Sequence, residues 1–338
     1  MKNSKIDWCD DSWNPITGCK HGCEYCYARR MVHRFEGRDG ETGEEHVLIE
    51  PVRAEEKGKI KPYPFGFDPT YHRYRVQRWR SQGERRNVFV CSMADLFGRW
   101  VPFAWQDEIL RACLAAHGYN YLFLTKDPQN MANVIRRLYD DLVAQFSEHT
   151  GWENPAYRMM SAFWFGSTVT NPQTPFFESG VVHTFVSIEP ILQPFGENSP
   201  IFSRTDWIIV GAESGARKGK VVPEREWLEV IVKRSRETGV PLFMKSSLAE
   251  IWGEPLIQEF PEGLRKREVS EEKSEALAWR EAGKGFVEGV QKAALEAESC
   301  NQCEYYEGVH GVQGHAPCSL KQCGGVLWND SCDQFKPC

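Results

Sequence analysis

The residues with the clearest chemical potential lie in GCKHGCEYCYARR, residues 18–30. Cys19, Cys23 and Cys26 stand at C-x3-C-x2-C, with the aromatic Tyr25 directly before the third thiol. Three thiolates at this spacing can hold three irons of a [4Fe–4S] cluster and leave the fourth without a protein ligand, free for chemistry. A structural zinc ion asks for four ligands, and His21 or Cys9 would be the fourth in that reading. A second concentration closes the chain: Cys300, Cys303, Cys318, Cys323, Cys332 and Cys338, with His310 and His315 among them. Cys300, Cys303, Cys318 and Cys332 form the core tetrad there, with Cys323 and Cys338 as alternates. Four thiolates saturate either zinc or a [4Fe–4S] cluster.

These clusters together with Cys9 hold ten of the 12 cysteines in a chain of 338 residues. No signal-peptide pattern opens the sequence and no apolar run approaches the ~18–20 residues of a membrane span. The expected compartment is therefore cytoplasmic, where clustered cysteines serve metals more often than disulfides. Cys91 and Cys113 sit apart in apolar surroundings, as buried thiols do. Net charge is −6, which argues against general coating of nucleic acid.

Elements that would position the thiols alternate between residues 88 and 247. Short β-branched or aromatic runs at 87–91, 121–125, 163–167, 183–188, 207–211 and 241–245 predict strands buried on both faces, and WNPIT (13–17) predicts one before them. Helices are predicted after Pro102, after the capping Asp127, and from Pro223 to Gly239. Parallel strands joined by right-handed crossovers give an α/β fold, a partial, irregular parallel βα-barrel over residues 1–260, with chemistry at the C-terminal strand ends. An insertion at 37–86 is basic and aromatic, with Tyr63, Phe65, Phe67, Tyr71, Tyr74 and Trp79 interleaved. It predicts either a face for phosphates and bases, through Arg73, Arg75 and Arg78, or a solvated, partly mobile loop with its aromatics tucked against the barrel. Residues 261–299 predict a charged helical connector, and 300–338 a metal-binding tail.

The C-x3-C-x-aromatic-C loop after a first strand resembles that of the radical SAM superfamily, whose fold is a complete or partial βα-barrel. In order, SKIDWCDDSWNPITGC, VFVCSMADLF, YLFLTKDPQNM, FVSIEPIL, DWIIVGAESG and PLFMKSS resemble a phage and bacterial family of three-Cys-motif proteins, neighbours of three-Cys-motif partner proteins. The arrangement is more distantly similar to spore photoproduct lyase. The resemblance covers residues 4–247. It implies that S-adenosylmethionine binds the open iron. One electron, from a donor such as flavodoxin or ferredoxin, then yields a 5′-deoxyadenosyl radical that abstracts hydrogen from substrate.

Strand-end residues take their roles from that implication. Ser92 and Asp95 would accept the cofactor's ammonium, although Asp95 capping the next turn is the plainer reading. Lys126 would meet its carboxylate or a substrate phosphate, and Glu189 its ribose hydroxyls. Tyr25, Ser167, Glu213 and Lys245 complete the expected cofactor shell, and the loop 211–215 would lie close to adenine or ribose. Cys91 would be a catalytic hydrogen donor, as in spore photoproduct lyase, or a small core hydrophobe. Auxiliary clusters in such C-terminal tails favour iron–sulfur over zinc there. Phage relatives implicated in thymidine hypermodification make a pyrimidine in DNA or nucleotide the expected substrate. Peptide modification and a non-enzymatic zinc-binding interaction module are the alternatives.

Overall fold

The computed structural model describes residues 4–36, 42–80, 86–116, 118–149, 151–215 and 217–264. The chain divides into two compact units, one formed by residues 1–145 and 158–266, the other by 146–157 and 267–338. The Cys-rich tail and most of the charged connector lie outside the described residues. In the second unit, the Asn154 side-chain amide donates to the carbonyls of Phe146 and His149 at 3.3 and 3.1 Å. Its carbonyl accepts from the Ala156 amide at 2.9 Å.

In chain order the strands are β1 (Asp11–Trp13), β2 (Ile16–Thr17), β3 (His46–Leu48), β4 (Thr70–His72), β5 (Asn87–Val90), β6 (Asn120–Thr125), β7 (Phe163–Thr168), β8 (His183–Ile188), β9 (Ile208–Val210) and β10 (Leu242–Met244). The α-helices are α1 (Tyr27–Glu36), α2 (Arg73–Gln77), α3 (Phe103–Ala115), α4 (Pro128–Gln145), α5 (Pro155–Ala162), α6 (Arg225–Thr238) and α7 (Ala249–Trp252). Seven strands form one parallel sheet in the order β1-β5-β6-β7-β8-β9-β10. No helix among the described residues is long and apolar enough to cross a membrane.

Both faces of this sheet are buried, which is why its strands lack apolar–polar alternation. Val186, Ile188, Ile208, Val210, Leu242 and Met244 pack outward against Leu228 and Ile231 of α6. Phe89, Leu122, Trp164, Phe185, Ile209 and Phe243 point to the other side and close around Trp8 and Trp207. The Trp8 ring lies 4.6 Å from Phe89 on β5 and 6.0 Å from Phe185 on β8. A flat sheet would separate those strands by about 14 Å, so the sheet curls around Trp8. Gly166 makes room for this: a Cβ there would sit 2.3 Å from the Phe185 ring. Among the described residues β1 and β10 do not pair, leaving a partial barrel. Asp7 reaches the β10 end of the opening, accepting the Ser246 amide at 2.8 Å.

Crossovers are irregular where short spacing predicts it. β5 reaches β6 through α3, β6 reaches β7 through α4 and α5, and β9 reaches β10 through α6, whereas no α-helix joins β7 to β8 or β8 to β9. Asp127 caps α4 through the Asn130 amide at 3.1 Å. One expectation needs correction. WNPIT is two strands, because Asn14-Pro15 breaks the run and sends β2 into a second sheet ordered β2-β4-β3. In the described part of the 37–86 insertion, Phe67, Tyr71 and Val76 are core residues. Trp79 stacks on Trp13 at 4.4 Å, Tyr71 on Trp105 at 5.1 Å and Phe65 on His46 at 3.8 Å.

Candidate functional site at the C-terminal rim of the barrel

Gly18 starts the cysteine loop in a space only glycine fits. Its φ is +88° and an added Cβ would lie 2.1 Å from the Asp68 carbonyl oxygen. Its amide donates to the Met93 carbonyl at 3.0 Å, and the Cys19 amide to that of Phe67 at 3.1 Å. The loop is thereby pinned between the turn after β5 and the small sheet. It ends as the Cys26 amide donates to the Cys23 carbonyl at 3.1 Å and α1 begins. Cys19, Cys23 and Cys26 are half-buried and unbridged. Burial, with Asp95, Cys26 and Cys23 adding to it, pushes the Cys19 thiol up to about 12, so a positive partner is needed to hold it as thiolate.

Two cationic or donor groups face the thiols. The Arg29 amide donates to the Cys26 sulfur at 3.4 Å, and Arg29 Nη2 to the Cys19 carbonyl at 3.4 Å. Lys126, at the end of β6, has its pKa lowered by burial, opposed by Cys23, Asp95, Cys19 and Cys26. Its ammonium donates to the Tyr25 hydroxyl at 3.4 Å and lies 5.2 Å from the centre of that ring. Burial, then Cys23, raises the Tyr25 phenol. Lys126 and Tyr25 are thus brought to the thiols.

Asp95 is engaged differently. Its Oδ1 accepts the Phe97 amide at 3.0 Å and the Thr125 hydroxyl at 2.8 Å. Its Oδ2 takes the Lys126 amide at 2.9 Å and pairs with His21 Nε2 at 2.7 Å. Both oxygens are engaged, and through the Phe97 amide Asp95 caps the turn that follows it. Ser167 is 1% exposed and its hydroxyl accepts the Phe177 amide at 2.9 Å, holding the β7–β8 loop. Cys91 is buried, its thiol pushed up to about 12 by that burial. It adopts φ +62° and stands close enough to Cys113 of α3 to raise that thiol too. Cys91 is a core residue, 2% exposed.

Ser92 stays at the rim, its hydroxyl donating to Asn14 Oδ1 at 3.1 Å, while its carbonyl accepts the Tyr27 hydroxyl. Glu189 and Lys245 form an ion pair with each other, their side chains 29% and 19% exposed. Glu213 is clasped by Arg217 through two hydrogen bonds of 2.7 and 2.8 Å, which hold its carboxyl below the usual range. Arg217 also reaches Glu24 of the cysteine loop at 3.3 Å. Arg30 Nη2 donates to the Ser214 carbonyl at 3.1 Å. The 211–215 loop is therefore tied to the cysteine loop and α1. Arg30, Arg217 and Asn14 went unforeseen; the Glu213–Arg217 spacing of four and the position of Asn14 directly after β1 were the available signals.

Among the described residues no three His, Cys, Asp or Glu side chains converge closely enough to hold one metal ion. The proposed zinc completions are also engaged: Cys9 is buried with Trp8 in the barrel interior, and His21 Nε2 is on Asp95. Tetrahedral zinc needs thiolates about 3.8 Å apart at Zn–S distances of about 2.3 Å. A [4Fe–4S] cluster takes one thiolate on each of three irons, and Cys19, Cys23 and Cys26 supply three unbridged thiols on one loop.

A curled parallel sheet with a three-thiol loop at its C-terminal rim defines a partial βα-barrel whose candidate site lies at that rim. The chain belongs to the family described as "Protein of unknown function (DUF5131)", matched over residues 3–287. That membership, rather than one in the three-Cys-motif family, is what the sequence comparison establishes. No curated protein matches the chain. Among solved structures it is similar to a spore photoproduct lyase mutant with bound S-adenosylmethionine and dinucleoside spore photoproduct, at 11% identity and a TM-score of 0.35, covering 82% of this chain and 76% of that one.

Proposed function

We propose that this chain is a radical S-adenosylmethionine enzyme acting on a nucleobase, a pyrimidine in nucleotide or DNA, as in phage-type base modification. The observation that carries the reading is the placement of Cys19, Cys23 and Cys26 on one loop at the strand-end rim, beside Lys126 and Tyr25. When bound, a [4Fe–4S] cluster with S-adenosylmethionine on its open iron supplies a 5′-deoxyadenosyl radical after one-electron reduction by a flavodoxin- or ferredoxin-type donor. The three cysteines would hold the cluster, and Lys126 would offset thiolate charge in the half-buried loop. Ser92, Glu189 and Lys245, partly exposed around the same rim, are the polar groups left to orient the cofactor's ribose and amino-acid ends. Arg30 and Arg217 hold the β9 loop against the cysteine loop, narrowing the path for water. In the tail, Cys300, Cys303, Cys318 and Cys332 would hold a second metal site.

The test is iron and sulfide analysis of anaerobically purified protein. Brown protein is expected, and changing Cys19, Cys23 and Cys26 together to Ala should remove one cluster's iron and sulfide while leaving any held by the tail. Unchanged iron and sulfide in the triple variant would contradict the assignment.

A further inference from the structure

Beside the cysteine loop, the small sheet and α2 enclose an open cavity of about 430 Å³. Its walls include Asn14 after β1, Met93 after β5, Tyr63, Tyr74, Arg75 and Arg78. Met93 belongs to the apolar cluster against which Cys19, Cys26 and Tyr63 pack, so cavity and thiols share a wall. The charges are unusual for a structural crevice. Arg73 is neutralised by Glu108 at 3.0 Å, whereas Arg75 and Arg78 have no carboxylate partner among the described residues. Arg75 donates to the Asn14 backbone carbonyl at 2.7 Å and to the Tyr74 hydroxyl at 3.2 Å. Both guanidinium groups lie within 6 Å of the Tyr74 ring centre, at 5.6 and 5.9 Å. Asn14 Oδ1 is taken by the Ser92 hydroxyl and the Met93 amide. That leaves the Asn14 amide nitrogen as a donor at the cavity wall.

Unpaired guanidinium groups bind phosphate, tyrosine faces stack on bases, and an amide donor meets a base carbonyl. We propose that this cavity is the nucleotide subsite. Arg75 and Arg78 take the phosphate, Tyr74 or Tyr63 stacks on the base, and the Asn14 amide contacts the base edge. The phosphorylated nucleobase comes from a free nucleotide or from a single strand. The inference rests on the proposed function for its purpose, but binding needs neither cluster nor S-adenosylmethionine.

The test uses full-length protein without its cluster, titrated with thymidine 5′-monophosphate by calorimetry and with a labelled single-stranded oligonucleotide by anisotropy. Binding of either probe is expected; the mononucleotide alone identifies free nucleotide as the source, and the oligonucleotide alone a polynucleotide. Exposed Arg78 changed to Gln should weaken binding about tenfold or more and lower the salt slope by about one. Tyr74→Leu, which keeps apolar volume, should weaken it at least about fivefold. Lys57→Gln removes the same charge from an exposed position outside the cavity and should leave binding unchanged. Binding of neither probe, equal effects of Arg78→Gln and Lys57→Gln, or preference for an acidic peptide would overturn the subsite. None of these results touches cluster assembly or S-adenosylmethionine cleavage, so the radical S-adenosylmethionine chemistry of the proposed function stands or falls separately from its nucleobase substrate.

Discussion

Inside the barrel, Trp8, Trp164, Phe185, Trp207 and Phe243 are each at most 2% exposed. They meet ring against ring, with Trp207 5.9 Å from Phe185 and 6.1 Å from Phe243. At the C-terminal ends of the same strands stand Lys126, Glu189, Glu213 and Lys245. The interior gains from apolar area removed from water, about 25 cal/mol per Å². The rim keeps ionisable groups in buried or half-buried surroundings, and at Lys126 burial lowers the pKa. Glu213 is compensated by a bidentate arginine, Glu189 by Lys245, and the three thiols by far less. Charge retained at such cost in one place, while the interior excludes it, is what separates a site from a core.

The largest effect expected from breaking this contrast is in the interior. Trp207→Ala should cost about 3–5 kcal/mol of stability, measured by denaturant unfolding. It should leave cysteine accessibility to thiol reagents in the folded fraction unchanged, since the rim does not rest on that ring. A loss below about 1 kcal/mol would mean the interior packing is not what holds the sheet closed.

A smaller effect comes from a buried polar group under the cysteine loop. His72 is 1% exposed and bonds the Thr17 hydroxyl at 2.8 Å. Burial, reinforced by Arg75, lowers its pKa from 6.5 to about 3. The unfolded chain therefore takes up this proton near pH 6.5 and the folded chain only near 3. The resulting stability is present above pH 6.5 and is lost as pH falls through that window, about 2 kcal/mol between pH 7 and pH 5. His72→Gln should remove that share of the acid sensitivity. Equal losses in wild type and variant would place the titration elsewhere.

How far the amino-acid sequence discloses this contrast depends on whether a residue acts within its own element. Apart from β1, the strands of the large sheet lie within a residue or so of their apolar runs, because burial on both faces demands continuous β-branched and aromatic residues. The small sheet was illegible: His46–Leu48 and Thr70–His72 are three residues each, with polar residues that carry no period. At the rim the thiol loop and Lys126 could be read from local spacing. Ser167 could not, nor could the second partner of Asp95, since the Phe177 amide and His21 arrive by tertiary folding, whereas Arg217 stands only four residues from Glu213. The burial of Cys91 was legible in its apolar run, but its positive φ was not, because that conformation at a non-glycine residue has no signature in the chain.

The central claim, that the three rim thiols support S-adenosylmethionine chemistry, is tested most directly by product analysis. Cluster-loaded protein, kept anaerobic and given S-adenosylmethionine with a strong reductant, should release 5′-deoxyadenosine and methionine slowly even without substrate, and Cys26→Ala should release neither. Wild-type protein with full iron content that forms no 5′-deoxyadenosine, or a Cys26→Ala variant that forms as much as wild type, would contradict the account.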